Sequence, residues 1–264
     1  MALDHAIETV VRRDRGVIVA SLVGVVALAW AYLFWEASRM GGMDVGVTRA
    51  GATSERFAAT FLMWAVMMVG MMLPSAAPAI LLYGGIARRS REQGRTVPAI
   101  YTFVAGYLIA WTVFSVLAAA LQVLLGHLVL MSPMMVSTST VLSGVFLLAA
   151  GVYQLLPVKD ACLGTCRAPL QFFSKRWRSG RIGALRMGLE HGFICVGCCW
   201  ALMLLLFAGG VMNLLWVAVI AGFILVEKLM PGGRLAGRFA GIGLVAMGLL
   251  AMLGVFERVP TLTM

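Results

Sequence analysis

The feature that most limits how this chain can fold is its series of long apolar runs, which alternate with short gaps that hold most of the charge. A helix of about 20 apolar residues crosses a hydrocarbon core roughly 30 Å thick. Alternating barrel strands are absent, so the predicted fold class is all-α. We expect a single membrane domain over residues 1–264, a polytopic transmembrane helix bundle of about seven spans, at 16–35, 57–82, 99–125, 136–156, 192–211, 214–226 and 236–256.

Two of these runs need comment. The first has no clear small-residue cleavage site before Glu36 and is too long for a signal peptide, so we predict a retained span. The sixth, 214–226, is the shortest, and if it does not cross the membrane the C-terminus lies on the other side.

Charge predicts how the spans are oriented. Of the 21 Lys and Arg residues, 17 lie before the first span or in the alternate gaps at 88–95, 159–186 and 228–238. Positive residues favour the cytoplasmic side of a membrane, so we expect the N-terminus inside and the C-terminus outside. The net charge of +10 therefore reflects topology, and its position excludes a nucleic-acid partner.

The largest gap, residues 158–190, is predicted to be a cytoplasmic loop that holds two of the five cysteines. Phe172, Phe173 and Trp177 alternate there with basic residues, a pattern that fits a short helix in the inner headgroup layer. A basic loop beside anionic lipid would carry the same charges.

The cysteines are the strongest chemical signal. They form a C-x3-C pair in the loop and a C-x2-C-C motif in the fifth span, and at 100° per residue the motif shares one helix stripe with a histidine. Side chains on one stripe can face one target, and thiolates so placed bind soft ions such as Cu(I). The predicted metal ligands are Cys162, Cys166, His191, Cys195, Cys198 and Cys199.

Other interpretations of these residues stay open. Buried cysteines pack as small hydrophobic residues, and C-x2-C spacing also suits a zinc site of four thiolates. His191 stands beside Glu190 at the predicted start of a helix, where it could serve a terminal backbone group. For Glu227 and Lys228, at the inner end of the sixth span, three interpretations are open: an ion pair, a snorkelling pair or a functional role.

Methionines are the second signal, because thioethers also bind Cu(I) and withstand an oxidising compartment. Pro74 and Pro78 follow five of them on the second span and predict a kink near the bilayer midplane. Helical rise puts Met72 and Cys199 at similar depths. Simple packing would explain such a stripe equally well. The predicted metal pathway comprises Met63, Met67, Met68, Met71, Met72, Met131, Met134 and Met135.

The chain resembles a bacterial family of predicted metal-binding integral membrane proteins, a domain of unknown function. The resemblance covers nearly the whole chain and implies a multi-span metal-binding protein. Its motifs are Trp64-x3-Met68-x2-Met71-Met72-x-Pro74, Lys159-x2-Cys162-Leu163-x2-Cys166-Arg167-x-Pro169 and Gly192-x2-Cys195-x-Gly197-Cys198-Cys199-Trp200, continuing through Met212-Asn213 to Glu227-Lys228.

These features predict a soft-metal binding protein of the bacterial inner membrane, which acts in metal transport or delivery rather than as an enzyme. Cu(I) fits best, with zinc or another soft ion such as Hg(II) as alternatives. Outer thioethers would collect the ion and inner thiols would receive it. The expected partners are the lipid bilayer, the metal ion, and a copper enzyme or periplasmic metal-binding protein.

Two other functions remain open at this point. A membrane thiol-disulfide relay would use the C-x2-C pair, but it needs an accepting thiol outside, and all five cysteines are predicted inside. An assembly or scaffold subunit would need the metal only for structure. The sequence has no G-x-x-x-x-G-K-[ST] phosphate loop, which excludes an ATP-driven pump on this chain alone.

Overall fold

A computed structural model describes residues 2–41, 53–94, 97–128 and 140–253. Within these ranges the chain forms nine helices and no strand, which confirms the all-α fold class. The helices are α1 (Ala2–Gly41), α2 (Thr53–Glu92), α3 (Ile100–His127), α4 (Thr140–Leu155), α5 (Pro157–Arg167), α6 (Pro169–Arg176), α7 (Gly180–Gly209), α8 (Leu214–Leu229) and α9 (Gly233–Met252).

Five helices are long and apolar enough to cross a membrane, judged by length and composition. A sixth candidate arises if α4 and α5, which are bent by 66° at their junction, form one broken span. The sixth predicted span corresponds to α8, which has only 16 residues and is not among the candidate spans. Part of the fourth predicted span, 136–156, lies outside the described residues. The described part of the bundle thus has five or six candidate spans, where the sequence predicted about seven. The candidate spans are Arg15–Arg39, Ser54–Glu92, Ile100–His127, Gly180–Gly209 and Gly233–Met252.

Proline produces the bend between α4 and α5. Pro157 has no N–H to donate and disfavours helical backbone at the residue before it. Leu156 accordingly has an extended ψ of 142°, and α5 begins at Pro157. Pro169 begins α6 in the same way. Most of the segment 158–190, which the sequence predicted to be a loop, is therefore helical and comprises α5, α6 and the first turns of α7.

Helix α7 begins at Gly180, 12 residues before the span predicted at 192–211. Cys195 therefore lies about 22 Å along the helix from its first residue, near the middle of α7 rather than just inside its start. The helix ends before Gly210, whose φ of 94° favours glycine. Asn213 then caps α8 by accepting a hydrogen bond from the backbone N–H of Trp216 at 3.1 Å.

Glycines allow α7 to pack closely against α3. A Cβ at Gly188 would collide with the backbone oxygen of Phe103, and one at Gly106 would collide with that of Leu185. Glycines of α4 and α9 permit a similar approach between those two helices. Close packing by small residues is the usual means of helix association in membranes, and here it fixes the position of the cysteine-bearing face of α7.

Candidate metal centre

Three thiols from two helices meet in the interior of the bundle. Cys195 and Cys198 project from α7 and Cys166 from α5, and their sulfur atoms all lie within 4.8 Å of one another. The sulfurs of Cys166 and Cys198 are 3.9 Å apart. Three sulfurs placed evenly around one ion in a plane, with metal–sulfur bonds of about 2.3 Å as for zinc, would be about 4.0 Å apart. These residues, which we call the thiol cluster, are thus spaced to bind one ion together.

Contacts with α7 and α8 hold α5 in place. Gly197 faces α5, since a Cβ there would lie 3.2 Å from the sulfur of Cys162. Arg167, the last residue of α5, donates hydrogen bonds to the backbone carbonyls of Glu227 at 3.0 Å and Met230 at 2.7 Å. Carbonyls at the end of a helix lack partners within it, so the guanidinium joins the ends of α5 and α8. The α5 thiol of the cluster is positioned by this junction.

Two predicted ligands lie beside the thiol cluster rather than in it. Cys162 is half-buried against Gly197, one turn before Cys166. Cys199 is buried, and its thiol is 3.8 Å from the sulfur of Met72 on α2. Among the sulfur-bearing side chains around them, the cysteines of α7 therefore meet partners on two different helices, α5 and α2, where the stripe predicted a single target. Helical spacing determines the angles of these side chains but not which neighbours they meet.

His191 also lies outside the thiol cluster. It is 11 residues inside α7 and 3% exposed, so it does not cap a helix start as one interpretation of the sequence held. Its ring lies among Phe103, Tyr107 and Phe172, with ring centroids 5.1 to 6.1 Å away. The Nδ1 atom is buried without a hydrogen-bond partner. The structure thus gives His191 an aromatic environment, and its role as a ligand stays a prediction.

Lys228 was named from the sequence, but its burial beside the cysteines was not predicted. Lys228, at the end of α8, donates hydrogen bonds to the sulfur of Cys195 at 2.8 Å and to Oγ of Ser75 at 3.0 Å. Its side chain is 6% exposed. An ammonium so close to a sulfur stabilises negative charge on that sulfur. A lysine beside an apolar run signals function in a membrane protein, but only the fold shows its partner.

Tyr107 joins the thiol cluster to α2. Its hydroxyl donates to the backbone carbonyl of Met72 at 3.0 Å and lies 3.1 Å from the sulfur of Cys195. The side chain is fully buried on α3, the helix held against α7 by glycines. Four helices besides α7, namely α2, α3, α5 and α8, therefore contact Cys195 or its partners, and the site depends on the packing of the whole bundle.

Glu227 does not pair with Lys228, contrary to one of the interpretations from sequence. Its carboxylate accepts hydrogen bonds from Lys159 at 2.5 Å and from Gln154 at 2.6 Å, all three side chains being buried. Gly237 on α9 leaves room for this carboxylate, because a Cβ there would collide with it. Consecutive residues of a helix point about 100° apart, which is why Glu227 and Lys228 take different partners.

The methionines of α2 are all in the core. Met63, Met67, Met68, Met71 and Met72 are each no more than 4% exposed, and Met72 reaches the thiol cluster's neighbour Cys199. Helix α2 continues through Pro74 and Pro78, and the kink stays a prediction. Met131, Met134 and Met135 lie outside the described residues.

Comparison with known proteins agrees with this chemistry. A family model described as PpoB2, copper chaperone, matches residues 61–251, a range that holds the whole thiol cluster and the α2 methionines. Comparisons with curated proteins and with solved structures gave no match. The family's description agrees with the metal-binding part of the resemblance noted in the sequence. Because the match spans most of the chain and includes every residue of the site described above, this protein belongs to the PpoB2 family of copper chaperones.

Proposed function

We propose that this chain is a copper chaperone of the bacterial inner membrane, which binds Cu(I) at the thiol cluster and exchanges it through the buried methionines of α2. The observation that carries the proposal is the convergence of three thiols, with sulfurs within 4.8 Å of one another, in a member of a copper chaperone family. Thiolates and thioethers together are the ligands that select Cu(I). Copper is the cargo here.

The number of ligands favours Cu(I) over zinc. A structural zinc site is closed by four ligands, whereas among the described His, Cys, Asp and Glu side chains only Cys166, Cys195 and Cys198 come together. Two further soft donors, Cys199 and Met72, lie beside the cluster with their sulfurs 3.8 Å apart. A site of three thiols beside a second sulfur pair suits an ion that must be held and then passed on.

Lys228 makes such a site compatible with the apolar interior. Three thiolates and one monovalent ion leave two negative charges, and burying uncompensated charge is costly. The ammonium 2.8 Å from Cys195 balances one of them. Lys159 and Glu227, in contrast, balance each other. The cluster and Lys228 therefore form one electrostatic unit.

This charge balance predicts the effect of Lys228→Met, which removes the ammonium and retains the length of the side chain. We expect Cu(I) affinity to fall about 10- to 100-fold, the range typical of changes just outside a set of metal ligands. Competition with a Cu(I) chelator on purified protein would measure it. Lys228→Arg keeps the charge, so its affinity for Cu(I) should fall less. Equal losses in both variants would contradict the electrostatic role.

The sulfur pair of Cys199 and Met72 provides the proposed connection to the methionines. Their sulfurs are 3.8 Å apart, which is within the span of two ligands on one ion. Cys199 is also one turn from Cys195, a member of the thiol cluster. An ion could therefore pass between the cluster and α2 by exchanging one sulfur ligand at a time.

This pathway predicts that Met68→Leu together with Met72→Leu separates transfer from packing, since leucine keeps the apolar volume and removes the sulfur. We expect the purified double variant to bind copper as the wild type does, and cellular copper uptake or loading of a copper enzyme to fall several-fold. Met187→Leu is the control, because Met187 lies two turns before Cys195 on α7 and its sulfur accepts a hydrogen bond from the backbone N–H of Arg178, which precedes the helix. Undiminished copper accumulation at equal protein levels would leave the methionines with a packing role.

Location and orientation complete the proposal. Five candidate spans support a membrane location, and the distribution of Lys and Arg supports an N-terminus inside. In this orientation α5 and the basic ends of α2 and α7 face the cytoplasm. The ion would then pass between outer thioethers and the inner thiols, with a copper enzyme or a periplasmic metal-binding protein as partner.

The test of the proposed function is titration of the purified chain with Cu(I) and with Zn²⁺ under reducing conditions. We expect one tightly bound Cu(I) per chain, and X-ray absorption should show sulfur as its only neighbour. Zinc should bind more weakly, because a fourth ligand is missing from the cluster. Tight zinc binding with no retained Cu(I) would contradict the proposal and favour a structural metal.

A further inference from the structure

A second site lies away from the thiol cluster, in a cavity of about 360 Å³ between α1, α2 and the start of α3. Most of its walls are apolar or glycine, including Ile18, Leu81 and Ile100. Three of its lining residues are arginines: Arg15, Arg88 and Arg91. Apolar walls beneath several guanidinium groups would suit a ligand with an anionic group and a hydrocarbon part.

The cavity lies where three candidate spans begin or end. Arg15 is the first residue of one span, Arg88 and Arg91 belong to the last turns of the next, and Ile100 opens the third. If these helices cross a bilayer, the cavity lies at the depth of the lipid headgroups, and its apolar walls continue towards the hydrocarbon. The phosphodiester groups of membrane lipids lie at this same depth.

The charge within the cavity is only partly balanced. Glu92 approaches Nε of Arg88 at 3.4 Å and is itself largely exposed. That nitrogen is buried and has no hydrogen-bond partner among the described atoms. Arg91 donates one long hydrogen bond, of 3.4 Å, to the backbone carbonyl of Val97. The Arg88 side chain as a whole is 28% exposed, so the terminal guanidinium nitrogens of Arg88 and Arg91 are the donors that the cavity offers to an anion.

We propose that this cavity binds one anionic phospholipid. Its phosphate would lie among the three arginines, and the part of an acyl chain nearest the headgroup would pack against Ile18 and Ile100. Guanidinium groups pair with phosphate oxygens through two hydrogen bonds at once, and basic pockets between membrane helices bind anionic headgroups. The proposal does not depend on copper binding, because the cavity and the thiol cluster share no residue.

Gly85 provides a test of shape that leaves the charges intact. It is an exposed residue of α2 that lines the cavity, and a Cβ there would meet nothing within 4 Å. A larger side chain at this position would therefore extend into the cavity without disturbing the helix packing. Arg89 provides the matched charge control, because it is exposed on the same turn and does not line the cavity.

The experiment is native mass spectrometry of the purified full chain, titrated with phosphatidylglycerol or with phosphatidylcholine. We expect one phosphatidylglycerol per chain, bound in preference to phosphatidylcholine. Arg88→Gln and Arg15→Gln should each weaken it about fivefold, Arg89→Gln should leave it unchanged, and Gly85→Leu should weaken it with no change in charge. Cu(I) content equal to the wild type shows that each variant is folded.

Two outcomes would overturn the proposal. Equal losses in Arg88→Gln and Arg89→Gln, with none in Gly85→Leu, would mean that lipid is attracted by general surface charge. Displacement of the lipid by glycerol phosphate at equal concentration would show that the arginines hold a free anion and that the apolar walls contribute nothing. Failure of either kind leaves copper binding unaffected, so it is distinguishable from failure of the proposed function.

Discussion

Serine in place of Cys195 or Cys198 is expected to lower the affinity for Cu(I) by more than about 100-fold. A hydroxyl is a hard ligand that Cu(I) disfavours, and changes next to a metal site already cost about 10- to 100-fold. The loss should be similar for both residues, because each supplies one of three sulfurs within 4.8 Å. Chelator competition and metal analysis of the purified variants would measure it.

Cys162→Ser is the matched control for this prediction. Cys162 lies on α5 one turn before Cys166 and outside the thiol cluster, so its loss should change Cu(I) affinity little. Cys166→Ser, on the same helix, should behave like the α7 variants. If Cys162→Ser and Cys166→Ser lose copper equally, both cysteines of the C-x3-C pair bind the ion, and the three residues of the thiol cluster are not the complete metal site.

Glu227→Gln is expected to destabilise the fold by about 3 to 5 kcal/mol, the cost typical of breaking one partner of a buried ion pair. Glu227 and Lys159 are each 2% exposed and 2.5 Å apart, so the variant leaves the Lys159 ammonium uncompensated. The amide at 227 can still pair with Gln154, which limits the change to charge. Thermal unfolding of the copper-free protein in detergent would measure the loss.

Adding Lys159→Met to Glu227→Gln should restore most of that stability, because replacing both charges of a buried pair is often close to neutral. Lys159→Met alone should be destabilising, since it leaves the carboxylate unpaired. The two single variants and the double variant form a cycle that isolates the coupling between these residues. Strictly additive losses would show that the two charges act independently and that the ion pair does not join α5 to α8.

Some local features of the fold could be predicted because they depend on neighbours in the chain. Apolar runs predicted helices, and the aromatic and basic residues near Phe172 indicated the short helix that is α6, although the helix that begins at Pro157 was predicted to be a loop. Counting helical rise put Met72 and Cys199 at similar depths, and the two sulfurs are 3.8 Å apart. The count started from residues 82 and 192, whereas α2 ends at Glu92 and α7 begins at Gly180, so the agreement holds because the two errors are of similar size.

The starts and ends of helices were harder to predict. Helix α7 begins at Gly180 rather than near residue 192, because charged residues such as Arg181 and Arg186 interrupt an apolar run without ending a helix. The same error placed His191 at a helix start. Hydropathy reports which residues prefer an apolar environment, whereas helix length depends on backbone hydrogen bonds that charged side chains do not break.

The sequence by itself determined that this protein is all-helical, rich in soft ligands, and equipped with thiols close enough in the chain to act in pairs. Only the tertiary structure decided which of them meet. Cys166 joins Cys195 and Cys198 because the bend at Pro157 and the contacts of Arg167 hold α5 against α7 and α8. Lys228 became part of the site because α8 ends beside Cys195. Such contacts join residues far apart in the chain, and helical periodicity carries no information about the neighbouring helix.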